Sequence, residues 1–271
     1  MESIKDHRHI YNYVRVGTRG EMGGTKVHRV TKVLVTVGTG PMLPVLDLAL
    51  RTFRPYAERH GYDLVIGSGD ANGREPAWAK VVLLRRLLAV YDEALWLDSD
   101  ILILDGSKDI ADSVPAGHFQ GLVEQAVSEK EHGINTGVWF LRAGPASTGF
   151  LDAVWDHDAT GEPGMWENLQ ALDLLGYTTV RPYRPIRQTE WLTGTALLDP
   201  TWNAIGGIPG RFRHYSAMSN AYRRRVMGRD LASGRIERLV RSAELAAYER
   251  TRHRRNTDRY FDRRIAGDGE P

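Results

Sequence analysis

Two carboxylates one residue apart, Asp98 and Asp100, stand inside an otherwise apolar run from Ala94 to Leu104. Carboxylates buried in such surroundings are costly unless a cation or a proton compensates them. Read as a strand, the run turns both side chains to one face, because strand side chains repeat every second residue. The pair can then hold one divalent ion between them. Acidic residues at the wet end of a strand would give the same pattern with no ligand, and these residues alone leave that alternative open. A calcium EF-hand is excluded, since Ile101-Leu102-Ile103 supplies none of the loop ligands. A phosphohydrolase with an Asp-x-Asp nucleophile on an apolar strand is a rival. It needs a downstream Lys and a later acidic pair on strand ends, and neither is convincing here.

The elements that must position this pair follow from the pattern around it. Lys32–Val37 reads as a buried strand closed by Gly38-Thr39-Gly40-Pro41. Helical periodicity runs from Leu43 to His60, a second strand covers Asp63–Ile66, and Pro76 opens a helix reaching to about Tyr91. This β-α-β-α-β succession predicts an α/β fold with a mostly parallel sheet flanked by helices. Gly38-Thr39-Gly40 alone is a weak dinucleotide fingerprint, since Leu43 stands where the third glycine would fall. A tight strand-to-helix turn is the better reading. Ligands of open α/β sheets bind beyond the strand ends, so Thr36, Val37 and Gly38 are candidate nucleoside contacts. Further on, Phe119–Val123 and Thr136–Leu141 read as strands, and Thr148–Asp156 and Trp166–Leu175 as helices. The stretch from Tyr183 to Arg213 is rich in loops.

Composition bounds the remaining possibilities. The 271 residues contain no Cys, so thiolate chemistry and a disulfide framework are excluded and a cytoplasmic location is expected. No stretch is long enough to span a bilayer, and no secretory signal opens the chain. The formal charge is only +2, but Tyr222–Arg264 holds 14 Arg against 6 acidic residues. That basic stretch belongs to a helical tail, so nucleic acid is not an expected partner of the core. The plain reading is a solvated helix packed on the domain; acceptor binding or homodimerisation is the next. The expected organisation is an N-terminal arm over 1–30, a catalytic domain over 31–217 and an Arg-rich helical extension over 218–271.

One further set of residues is recognisable in order. Trp78-Ala79-Lys80 precedes Trp96-Leu97-Asp98-Ser99-Asp100, and Asn135-Thr136-Gly137-Val138-Trp139-Phe140-Leu141-Arg142, Phe150–Trp155 and Arg213-His214-Tyr215-Ser216 follow. Together they resemble GT-A-fold glycosyltransferases, most closely the galactosyl/xylosyltransferase family of the yeast mannan and plant xyloglucan type, and more distantly glycogenin-like enzymes. The resemblance covers Val33 to Ser216. It implies a nucleoside-diphosphate-sugar donor, with Mn²⁺ (or Mg²⁺) bridging the diphosphate and held by Asp98, Asp100 and His214. Carboxylates plus one imidazole suit Mn²⁺ better than Ca²⁺.

Beside that implied centre, Ser99 joins the donor contacts, and Lys80 and Arg74 are point charges for the diphosphate or the sugar. Asn135 would present its amide to the sugar, while Gly137 lets the backbone approach. Where the family shows an Asp-Gln pair near the donor sugar, this chain has Glu167-Asn168. One acid and one amide survive, with their side-chain lengths exchanged. The residues after His214 also lack the family's phosphate-binding Lys, for which Arg223 or Arg224 can substitute. The expectation is a metal-dependent glycosyltransferase that passes a hexose or pentose, from UDP or GDP, to a small-molecule or glycan hydroxyl with retention of configuration. The phosphohydrolase and a non-enzymatic anion-binding protein using the basic tail are the alternatives. The predominance of Arg over Lys suggests a GC-rich bacterial source and a role in natural-product or polysaccharide assembly.

Overall fold

Five of the six strands in the main sheet run in one direction, and the exception builds the site. The computed structural model describes residues 30–128, 131–161, 164–205 and 209–233. The N-terminal arm before them and the tail beyond Ser233 lie outside the described residues. The first strand, β1 (Lys32–Val37), leads through a 3-10 turn at Gly40–Met42 into α1 (Leu43–His60) and β2 (Tyr62–Gly67). A Cβ on Gly38 would press into Leu46 of α1, which explains a glycine at this turn. A second 3-10 turn, Pro76–Trp78, starts α2 (Ala79–Leu87), and β3 (Glu93–Leu97) follows. The helix ends before Tyr91, the expected limit. Hydrogen bonds from the Asp92 and Glu93 N–H groups to the Thr31 carbonyl draw the chain back to the sheet.

The later half continues with β4 (Ile101–Ile103), β5 (Gln120–Ser128), β6 (Glu131–Arg142), α3 (Pro145–Asp156) and α4 (Trp166–Leu174). Then come α5 (Glu190–Thr193), β7 (Thr195–Leu198), β8 (Phe212–His214) and α6 (Asn220–Ala232). The main sheet has the order β2-β1-β3-β6-β5-β7. The β1/β2, β1/β3 and β5/β7 ladders are parallel, and β6 is antiparallel to both β3 and β5. A small second sheet pairs β4 with β8 antiparallel, with Ile101 opposite His214.

Both faces of the sheet are buried, as a continuous apolar strand requires. Leu34, Leu95 and Leu97 pack with α1, β4 and β8 on one side, where Val226 and Met227 of α6 join them. Val33, Val35, Ala94 and Trp96 pack with α2, α3 and α4 on the other. The run from Ala94 to Leu104, expected as one strand, is two strands in two sheets. Asp98 donates its backbone N–H to the Gly137 carbonyl at 2.9 Å, and Ile101 N–H donates back to the Asp98 carbonyl at 3.2 Å. The chain therefore turns at Asp98–Asp100, and β4 leaves to pair with β8. The loop-rich stretch from Tyr183 to Arg213 also holds a strand, β7, paired with β5 at the sheet edge.

Candidate active site

A bulge in β6 supplies the floor of the site. Leu122 of β5 pairs with Trp139, yet the next residue, Val123, pairs with Asn135. Thr136, Gly137 and Val138 are left off that ladder, and their backbone groups turn to other partners. The Gly137 carbonyl takes the Asp98 N–H, as above. The Thr136 N–H donates to Asn168 Oδ1 at 2.8 Å, and Asn168 Nδ2 donates to the Ile134 carbonyl at 3.3 Å. The side chain of Asn168 thus stands in for a neighbouring strand.

Asp98, Asp100 and His214 meet over this floor, with one ligand atom from each lying within 4.8 Å of the others. His214 Nε2 is 3.2 Å from Asp100 Oδ1 and 3.8 Å from Asp98 Oδ2. The β4/β8 ladder places His214 beside Ile101, and so next to Asp100. Two carboxylates and an imidazole nitrogen within one small volume are a donor set that fits a divalent ion. Asp98 Oδ1 also accepts from Trp96 Nε1 at 2.6 Å, and Asp100 Oδ2 faces Arg223 Nε at 3.2 Å. Burial opposes the charged form of Asp100, but His214 and Arg223 outweigh it and hold the carboxyl below the ordinary carboxylate range. Burial likewise opposes the imidazolium of His214; Asp100 and Asp98 outweigh it and raise its pKa above the ordinary value.

Lys80 is buried, with four oxygens around its ammonium. Its ammonium donates to Glu167 Oε1 at 2.8 Å, to the Thr136 carbonyl at 3.1 Å and to Thr136 Oγ1 at 3.2 Å, and lies 3.3 Å from Asp98 Oδ1. Burial would lower its pKa, yet Asp98 and Glu167 together push it above the ordinary lysine value. Glu167 is only 4% exposed and also accepts from Thr136 Oγ1 at 3.2 Å. Asn135 Oδ1 accepts from the Gly137 N–H at 2.9 Å and from Asn203 Nδ2 at 2.8 Å.

Nine of the sequence candidates therefore gather at one place: Asp98, Ser99, Asp100, Lys80, Asn135, Gly137, Glu167, Asn168 and His214. Ser99 lies between the two carboxylates and is buried. Thr36, Val37 and Gly38 are at the end of β1, next to β3, whose end carries Asp98. The Thr36 hydroxyl is buried with no hydrogen-bond partner among the described residues. Arg74 forms no ion pair with the cluster. Its guanidinium stacks over Trp155 at 3.9 Å and Trp78 at 4.6 Å and donates to the Trp155 carbonyl at 2.7 Å. The sequence does not single out Asn203 and Gln125. Asn203 Oδ1 lies 3.0 Å from His214 Nδ1, and Gln125 Nε2 donates to the Asn203 carbonyl. Neither residue belongs to a motif, so pattern alone had no signal for them.

Residues 42–118, which include Lys80, Asp98 and Asp100, match the galactosyl transferase GMA12/MNN10 family. An uncharacterized alpha-1,2-galactosyltransferase of Schizosaccharomyces pombe is 24% identical to the chain, over 52% of this chain and 47% of its own length. An alpha-1,2-galactosyltransferase of the same yeast is 28% identical, over 31% of this chain and 26% of its own. The chain thus spans about half the length of the first of these relatives and less of the second. Among solved structures, a glycosyltransferase involved in the glycosylation of the major capsid of PBCV-1 superposes with a TM-score of 0.56 at 16% identity, covering 73% of this chain and 99% of that one. The glycosyltransferase GlyE of Streptococcus pneumoniae TIGR4 superposes with a TM-score of 0.50 at 13% identity, covering 80% and 64%. Topology and family match agree: the chain has the GT-A glycosyltransferase fold, and its residues 42–118 resemble the galactosyl transferase GMA12/MNN10 family.

Proposed function

We propose that the protein is a metal-dependent glycosyltransferase that moves a hexose or pentose from a nucleoside diphosphate, UDP or GDP, to an acceptor hydroxyl. The observation that carries this reading is the meeting of Asp98, Asp100 and His214 at the turn after β3. Mn²⁺ is the ion this donor set suits best, with Mg²⁺ as a substitute. A divalent ion held by these three residues would supply Lewis acidity toward a leaving diphosphate. Around the cluster stand three carboxylates, Asp98, Asp100 and Glu167, and two permanent cations, Lys80 and Arg223. With a dication bound, that balance would reverse in favour of a diphosphate.

The chain's own residues take these roles in the proposal. Lys80 pairs with Asp98 and Glu167 and offsets the charge of both carboxylates beside the cluster. Arg223 carries its charge from α6 to the edge of the cluster and takes the place of the missing Lys after His214. Thr36, Val37 and Gly38 line the nucleoside side, with Ser99 and Gly137 as backbone walls. Asn135 offers its amide nitrogen to the sugar, because its oxygen is already engaged. Arg74 frames the loop before α2. The Glu167 carboxylate, tied to Lys80 and Thr136, stands away from solvent, which supports retention rather than inversion by a general base there. The phosphohydrolase alternative has no support from the matched families and folds. The proposal divides the chain into a catalytic domain over 31–217 and a basic extension over 218–271, the α6 part of which packs Val226 and Met227 on the domain core. Among the described residues no helix is long and apolar enough to cross a membrane. A cytoplasmic location is part of the proposal, and a Cys-free chain is compatible with a reducing compartment.

Thermal-shift screening of nucleoside diphosphates and their sugars, with and without Mn²⁺, tests the reading. The true donor raises the melting point, and does so only with metal present. The anomeric configuration of the product, read by NMR, then decides retention. Hydrolysis of simple phosphoesters with no sugar transfer to any acceptor would overturn the proposal.

A further inference from the structure

Asn203 is fully buried at the end of the 3-10 turn Pro200–Asn203, whose start is capped by the Asp199 carboxylate accepting from the Thr201 N–H at 2.9 Å. Backbone bonds hold the turn against β8. Ala204 N–H donates to the Phe212 carbonyl at 2.8 Å, and His214 N–H donates to the Ala204 carbonyl at 3.0 Å. From this position the Asn203 amide reaches two neighbours. Its nitrogen donates to Asn135 Oδ1 at 2.8 Å and to the Asn135 carbonyl at 3.3 Å, and its oxygen lies 3.0 Å from His214 Nδ1.

Only one orientation of that amide is consistent with its surroundings. The Asn135 backbone carbonyl can only accept. Asn135 Oδ1 is identified as the oxygen because the Gly137 N–H donates to it at 2.9 Å. The Asn203 NH₂ must therefore face Asn135, and its oxygen must face the imidazole. An oxygen there requires a proton on Nδ1. Nε2 is then the nitrogen that faces Asp100 and Asp98, at 3.2 and 3.8 Å.

We propose that Asn203 is a positioning residue that locks His214 in its Nδ1–H form, so that the Nε2 lone pair is offered to a divalent ion shared with Asp98 and Asp100. The chain of orientation starts at the backbone N–H of Gly137 and passes through Asn135 and Asn203 to the ring. The inference rests on the metal-site reading above. Partners of this kind fix the ring and raise its basicity as a ligand, and their loss typically weakens metal binding about 10- to 100-fold.

The test uses the full chain and Mn²⁺ alone, titrated by electron paramagnetic resonance, with the visible spectrum of the Co²⁺-loaded protein as a second readout. Wild type, Asn203→Leu, Asn203→Asp and Asp100→Asn are compared, each with its melting temperature. Asn203→Leu, which removes the acceptor, is expected to bind Mn²⁺ about 10- to 100-fold more weakly and to change the Co²⁺ spectrum. Asn203→Asp keeps an acceptor for Nδ1–H but loses the donor to Asn135. It is expected to melt lower than wild type yet bind Mn²⁺ within a few-fold of it. A merely structural Asn203 would make affinity follow melting temperature in both variants, and that result overturns the inference. So does wild-type affinity with an unchanged Co²⁺ spectrum in Asn203→Leu. If Asn203→Leu does not fold, Asn203→Ser and Asn203→Asp carry the same comparison. Failure of wild type itself to bind Mn²⁺, equal to Asp100→Asn, overturns the metal reading and this inference with it.

Discussion

No side chain fits between Gly137 and His214. A Cβ built on Gly137 would overlap the imidazole, coming within 2.8 Å of Nδ1, and would stand equally close to Asn135 Oδ1. The glycine leaves room for the ring of the histidine, and its carbonyl holds the Asp98 N–H. One residue off the β5 ladder thereby sets the spacing between two members of the candidate metal cluster.

Gly137→Ala should displace His214 or open the bulge. Overpacking of this kind costs about 1–3 kcal/mol. Urea unfolding should show that loss, and Mn²⁺ binding should weaken with it. A variant with wild-type stability and wild-type Mn²⁺ affinity would show that the contact yields at no cost.

Asp98 and Asp100 should separate by their effects on folding. Asp98 is the more exposed, and its side chain keeps 30% of its surface open. Asp98→Asn should abolish sugar transfer with a small change in melting temperature. Asp100 is buried between His214 and Arg223, so Asp100→Asn should abolish transfer and also lose about 1–3 kcal/mol of stability. Melting curves alongside turnover make the comparison, and normal turnover by either variant counts against the site.

Lys80 and Glu167 form a pair buried on both sides, with side chains 4% and 6% exposed. Removing one partner leaves the other charge uncompensated, at a cost of about 3–5 kcal/mol. Lys80→Met alone should therefore be severely destabilised. Lys80→Met with Glu167→Gln should recover part of the loss, because two apolar or neutral groups are less costly there than one bare carboxylate. A double-mutant cycle in urea measures the coupling; additive losses would mean that the two side chains do not interact.

Much of this arrangement was legible in the chain because strong local patterns carried it. The apolar strand at Lys32–Val37, the long helix after it and the Asp-x-Asp step all lie where periodicity and turn residues put them. The break between β3 and β4 was not legible. Both halves are equally apolar, and the turn is made by a hydrogen bond to Gly137, some forty residues away in sequence. The strand β7 was hidden for a similar reason: four residues among Pro and Gly pair only with a distant strand. Lys80 carries a second signal in the sequence. It sits among Ala79, Val81, Val82 and Leu83, all buried, and a lysine in such company calls for a buried carboxylate. For Asn203 no such signal existed, since its role depends wholly on what the fold brings to it.

The far end of the sheet gives a pH test independent of the site. Lys32, at the start of β1, is 2.6 Å from Asp109 Oδ2, and Tyr62 OH donates to Asp109 Oδ1 at 2.7 Å. Burial would raise the Asp109 pKa, but the hydrogen bonds from Lys32, Tyr62 and the Ala111 N–H outweigh it and hold the carboxyl below its ordinary 3.8. A depressed carboxylate contributes stability that is fully present above the unfolded value and is lost as pH falls through the folded one. Comparison of wild type with Asp109→Asn by urea unfolding isolates that contribution. The gap in unfolding free energy should stay constant from about pH 7 to about pH 5 and shrink as pH falls below about 4. It closes because the protonated aspartic acid, like asparagine, no longer carries the charge that Lys32 and Tyr62 stabilise. A gap that persists unchanged to about pH 2.5, or that widens in acid, would show that Asp109 is held by packing rather than by its ionised form.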